Sequence, residues 1–141
     1  MTLPDVNVLV CAFRPDSQYH SECRHWLDSV VNGNAAFGMS PEVLGSVVRI
    51  LTNRRIYRQP DPLDKVLAYA NTVLDQPHCL VVRPGARHWG IFCRLCRETD
   101  AAGGLAPDAW FAALAIESGM EWITLDRDFR HFDGLRWRAP F

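Results

Sequence analysis

Two kinds of hydrophobic run alternate along this chain. Short unbroken stretches at Thr2 to Pro4, Ala35 to Met39, Cys79 to Val82 and Trp122 to Leu125 read as strands, and Leu135 to Arg138 reads as a final edge strand. Between them the apolar spacing lengthens to the helical period. Val6 to Phe13, Tyr19 to Val31, Leu63 to Leu74, Ala86 to Glu98 and Pro107 to Ser118 read as helices. A further helix starts at Ser40-Pro41-Glu42, with Ser as N-cap, Pro at the first helical position and an acid in the first turn. Its stripe is Val43, Leu44, Val47, Val48 and Leu51. Arg14-Pro15-Asp16, Pro60 with Pro62, and Ala101 to Leu105 supply the turns, and Gly119 suits a left-handed helix end. Strands alternating with helices of this length predict an α/β fold around a mainly parallel central sheet.

At 141 residues and 48% hydrophobic the chain suits one domain over 1–141 with one core. No apolar run approaches the ~18 residues that span a bilayer, and no basic and apolar leader precedes Asp5, so a cytoplasmic, membrane-free protein is expected. The five cysteines are odd in number and irregularly spaced, which suits reduced thiols; Cys93-x-x-Cys96 lacks a second pair and reads as small buried side chains. A net charge of −1 gives no global basic field for nucleic acid. The basic residues are nonetheless lopsided, since Lys65 is the single lysine among the 15. Arginine's planar fork suits phosphate, although a base-composition bias explains the excess as readily.

Four acids stand where strands end or helices begin: Asp5, Glu42, Asp108 and Asp126. Sites in open parallel sheets form beyond the carboxyl ends of the strands. Asp5 and Asp126 follow strands and Glu42 opens the helix after one, so these three share an edge; Asp108 joins them if its helix begins there. Glu42 lies opposite its helix's apolar stripe, in line with Ser46, Arg49 and Asn53, facing either water or a cleft. Asp108 heads an uncharged helix, where a buried carboxylate needs a partner. Converging acids repel unless a cation sits among them, and hard oxygens suit Mg²⁺ or Mn²⁺. The chemistry that follows is phosphodiester hydrolysis by a metal-activated water.

In order and spacing, Asp5-Val-Asn-Val-Leu-Val, Glu42, Asp108-Ala before a small-residue helix, and Thr124-Leu-Asp126-Arg-Asp128-Phe resemble the PIN-domain ribonucleases, above all the VapC-type toxins of toxin–antitoxin pairs. The likeness runs from Asp5 to Phe129. It implies catalytic acids at Asp5, Glu42, Asp108 and Asp126, metal ligation by Asp5, Asp108, Asp126 and Asp128, and supporting polar groups at Asn7 and Thr124. It also implies a PIN-like three-layer sandwich with a 3-2-1-4-5 sheet flanked by helices, Mg²⁺-dependent cleavage of RNA with Mn²⁺ substituting, a homodimer, and inhibition by a small cognate antitoxin. The brief first strand and Pro4 immediately before Asp5 depart from the pattern.

The five histidines share no spacing with the acids, so a histidine base is not expected. The five tryptophans could stack on RNA bases, but most read as core or dimer-interface residues. Arg49 and Arg127 are the candidates for phosphate contact. A DNA-directed or 5′-end nuclease of the same fold and a catalytically silent binding module are the alternatives. A dehalogenase-type phosphatase would place Asp126-x-Asp128 early in the chain, and a receiver domain would need a late lysine.

Overall fold

A computed structural model describes residues 1–141. Its elements in chain order are β1 (Thr2–Pro4), α1 (Val6–Phe13), α2 (His20–Val31), β2 (Phe37–Met39), α3 (Pro41–Leu51), α4 (Leu63–Leu74), β3 (Cys79–Val81), α5 (His88–Thr99), α6 (Leu105–Ser118), β4 (Glu121–Ile123) and β5 (Trp137–Arg138), with a 3₁₀ turn over Arg127–His131 before β5. Every strand pairing is parallel. β1, β4 and β5 form one ladder and β2 and β3 another, and β1 lies against β2, so the strands fall in the expected 3-2-1-4-5 order.

The seam between β1 and β2 carries no ladder, and Pro4 supplies the reason. The Asp5 amide donates to Ile123 O of β4 at 2.8 Å. Successive amides of a strand point to opposite sides, so the position of Pro4 faces β2, where proline has no N–H to give. Packing replaces the ladder there: Leu3, Phe37 and Met39 are fully or almost fully buried. At the far edge β3 presents exposed Leu80 and Val81, since no strand pairs with its outer side.

Ser40 caps α3 as its sequence requires, accepting from Glu42 N at 3.2 Å and Val43 N at 3.4 Å. α6 corrects the expected start at Pro107 by two residues, beginning at Leu105 after Gly104. Pro107 fits inside the first turn because the amides there have no partner within the helix. α6 is buried on most of its circumference: Ala109, Ala112, Ala113, Leu114 and Ala115 have no exposed surface. Small side chains let that helix approach the sheet, where Trp122 stacks on Phe111 with ring centroids 5.7 Å apart. The 3₁₀ turn was not foreseen; Asp126 caps it by accepting from Asp128 N at 2.8 Å.

One further expectation needs amending. Cys93 and Cys96 are half-buried on α5 rather than core, and all five cysteines are free thiols. Trp122 and Trp26 are buried, as a core reading requires, and Trp89 stands 64% exposed outside the core. Beyond α1, Arg14 binds Asp16 at 2.7 Å and Asp61 at 3.1 Å and lies 3.7 Å from the Tyr57 ring, pinning the loop after α3. No helix is long and apolar enough to cross a membrane.

Enlarging a side chain on the alanine face of α6 forces strain into a filled core. Ala113→Leu should lower unfolding free energy by roughly 1–3 kcal/mol. Urea titration would read this as a lower midpoint at unchanged slope.

Candidate active site

A cleft of about 580 Å³ opens where β1 and β4 end. The junction of β1 with α1 supplies Asp5 and Asn7, α3 supplies Ser46 and Arg49, α6 supplies Asp108 and Phe111, and the segment after β4 supplies Leu125, Asp126 and Phe129. Asp108 reaches the cleft because α6 does begin at that edge.

Asp5 is the most constrained of the acids. It is the N-cap of α1, with Oδ1 accepting from Val6 N at 2.6 Å. Its Oδ2 accepts from Thr124 Oγ1 at 2.6 Å and from Asn7 Nδ2 at 3.0 Å. Thr124 Oγ1 in turn accepts from Asn7 Nδ2 at 3.1 Å and Asp126 N at 3.0 Å, while Asn7 Oδ1 accepts from Leu125 N at 3.1 Å. One hydroxyl donor with two lone pairs, and one amide with two donors, are thereby fully used. This closed network locks the end of β1 to the turn after β4 and fixes where Asp5 and Asp126 stand.

Burial pushes the Asp5 carboxyl up to about 7; the Thr124 and Val6 hydrogen bonds pull against this, and the charges of Asp108 and Asp126 add to it. Half-buried Asp108 is pushed up to about 6 by burial, then by Asp126 and Asp128. Three carboxylates of one cleft therefore feel one another, which is the condition a cation relieves.

The remaining predicted residues are placed less centrally. Asp128 is exposed outside the cleft, beside His131 and Phe132, although its charge reaches Asp108. Glu42 is exposed, does not line the cleft, and accepts from Trp110 Nε1 at 2.6 Å. Arg49 lines the cleft and forms no ion pair, whereas Arg127 is exposed away from it. Sequence reasoning passed over Trp110, whose partner lies 68 residues away, and Tyr19, an exposed ring on the cleft wall contributed by the turn before α2.

No three acidic, histidine or cysteine side chains stand close enough to cage a cation by themselves. The donor set is still hard oxygen from Asp5, Asp108 and Asp126. That fits a divalent ion such as Mg²⁺, which keeps several waters and takes only one or two carboxylates directly.

A profile described as "PIN domain" matches residues 2–135. Ribonuclease VapC25 of Mycobacterium tuberculosis is 40% identical over 140 residues, covering 99% of this chain and 99% of that protein. VapC ribonuclease Mb2897 of Mycobacterium bovis is 37% identical over 140 residues, covering 99% and 95%. Among solved structures, VapBC2 of Rickettsia felis bound to promoter DNA superposes with a TM-score of 0.71 at 13% identity, over 98% of this chain and 97% of that one. VapC20 of M. tuberculosis, a sarcin–ricin-loop-cleaving toxin, gives 0.67 at 18% identity, over 96% and 99%.

Asp5 carries the clearest pH signature. Its folded pKa lies above the unfolded carboxylate value, so the native state holds the proton more tightly, and the metal-free protein loses stability as pH rises from about 4 to 7. Asp5→Asn should therefore remove that fall: between about pH 4 and about pH 8 the metal-free wild type should lose roughly 1–3 kcal/mol relative to the variant, whose amide does not titrate, although its NH2 cannot accept the bonds the carboxylate takes. Thermal unfolding in chelator at several pH values would show it; a melting-temperature difference between the two proteins that stays constant with pH would contradict it.

Proposed function

The chain belongs to the PIN-domain family, and from that premise we propose that it is a VapC-type endoribonuclease toxin, hydrolysing RNA phosphodiesters with a divalent cation in the Asp5–Asp108–Asp126 cleft. The observation that carries this reading is the gathering of those three carboxylates in one cavity at the strand ends. The 37–40% identity to mycobacterial VapC ribonucleases over nearly the whole chain supports it.

A bound Mg²⁺ or Mn²⁺ would supply charge compensation for the phosphodiester and lower the pKa of a water molecule. The chain's own residues do the rest. Asp5 is held in a single orientation by Asn7 and Thr124, so it presents an ordered oxygen without reorganising. Asp108 and Asp126 line the same cleft and complete its acidic side. Arg49, which lines the cleft from α3 and forms no ion pair, binds the RNA phosphate, balancing charge that the acids would otherwise repel. Val10, Phe111 and Phe129 line the apolar side and restrict bulk water. Asp128 acts at longer range through its charge on Asp108.

The partner proposed is a cognate antitoxin, since similar folds occur in VapBC assemblies from Rickettsia felis and Salmonella typhimurium. An acidic cleft suits a basic side chain from such a partner. A homodimer and a cytoplasmic location complete the reading.

Purified protein should cut a structured RNA pool with Mg²⁺ or Mn²⁺ and stop with EDTA. Asp108→Asn should reduce cleavage at least ~100-fold, and Asp5→Ala should abolish it. RNA cut equally well in chelator would end the metal-dependent reading. Arg49→Ala should raise KM about 3–10-fold with little change in kcat, the mark of an interaction made equally in ground and transition states.

A further inference from the structure

We propose that Trp110 is a positioning residue for Glu42, holding its carboxylate outside the metal-free cleft and releasing it toward the three aspartates when a divalent cation binds. This rests on the proposal that the cleft takes such an ion.

The bond between them is short and charge-assisted, Trp110 Nε1 donating to Glu42 Oε2 at 2.6 Å. Its two ends differ in freedom. Trp110 is fixed from behind: its carbonyl accepts from the Nε2 of His88 at 2.9 Å, and a carbonyl can only accept, so that nitrogen carries the proton. The ring meets His88 edge-on with centroids 4.2 Å apart and Phe92 at 5.3 Å. His88 is only 2% exposed, so the buttress is part of the α5–α6 packing. Glu42, by contrast, is an exposed side chain in the first turn of α3. It is the partner able to move.

Position decides what the bond does. Asp108 and Trp110 are two residues apart on α6, about 200° around the helix axis, and so project from nearly opposite sides. A carboxylate held by Trp110 is thereby kept away from the face that carries Asp108. Consistently, Glu42 does not line the cleft, and it is absent from the charges that act on Asp5, which are Asp108 and Asp126, and on Asp108, which are Asp126 and Asp128. A fourth negative charge added to that cluster would raise its repulsion while no cation is present. On the indole it has a donor instead. A cation reverses the balance, because the cluster then attracts the carboxylate more strongly than a single N–H does.

The test is a ¹H–¹⁵N spectrum of the full chain, in which Trp110→Phe identifies the Trp110 indole signal among the five tryptophans. In metal-free protein, Glu42→Ala, which removes the acceptor, should move that signal. Mg²⁺ should move the wild-type signal to the place it holds in Glu42→Ala, and leave it still in that variant. Trp110→Phe should also tighten Mg²⁺ binding by about 3–10-fold, followed through the amides of Asp5 and Asp126, with no gain when Glu42→Ala is already present. Mg²⁺ that saturates those amides while the indole signal stays fixed overturns the positioning role and leaves the metal site intact. Weaker Mg²⁺ binding in Trp110→Phe overturns it too, since the indole would then be holding Glu42 in its ligating pose. No shift anywhere at millimolar Mg²⁺ overturns this role and the metal reading together. Should Trp110→Phe fail to fold, the one indole signal that Glu42→Ala displaces in metal-free protein marks Trp110, and the wild-type titration against that variant decides the matter, since Glu42 is a surface residue.

Discussion

Asp5 has both carboxylate oxygens committed before it meets any ligand, and nearly everything at the cleft follows from how those bonds are made. One oxygen caps α1, so the acid cannot turn without uncapping a helix. The other is held by Thr124 and Asn7, and Asn7 reaches on to the Leu125 amide. Two chain segments more than a hundred residues apart are thus fastened at one point, and Asp126 is placed by the same fastening through its amide on Thr124. Burying a carboxylate is unfavourable, which is why its pKa rises; the hydrogen bonds do not remove the penalty but make it geometrically useful. The site is preorganised at the expense of stability, a familiar exchange where binding matters more than the resting state.

Much of this was visible in the amino-acid order because its causes are local. Ser40-Pro41-Glu42 announces a helix start through chemistry contained in three residues, and the structure places that start where the motif does. Helices over Val6–Phe13 and Leu63–Leu74 follow from apolar spacing alone. The aspartates were legible because each adjoins a strand or helix end. What stayed hidden depends on contacts between distant segments. Glu42 faces water or a cleft by its helical line, and only the position of Trp110, brought in by the packing of α6, gives it a partner outside the cleft lining. α6 starts before Pro107 because Gly104 and the preceding turn carry the chain into the helix, a matter of backbone path that residue preferences leave open. The exposure of Trp89 likewise reflects which face of α5 the rest of the fold leaves uncovered.

The cleft divides its labour by wall. Acids line the strand-end side, Arg49 stands on α3, and apolar rings close the remainder. Separation of this kind lets one cavity hold both signs of charge without internal pairing, since Arg49 has no acid as a partner. The lopsided use of arginine thereby has at least one local expression at the site, whatever set the overall composition.

Pro4 gives the sheet an uneven mechanical character. Within each ladder, strands are joined by directional bonds that resist sliding and break in discrete steps. Across the β1–β2 seam only side-chain packing acts, and dispersion contacts yield gradually as surfaces shear. Asp5 and Asp126 ride on one stiff ribbon, and α3, with Ser46 and Arg49, leads out of the other. Small sliding at the seam changes the width of the cleft without breaking a backbone hydrogen bond, so the compliance of the molecule is concentrated along the line that separates its acidic wall from its basic one.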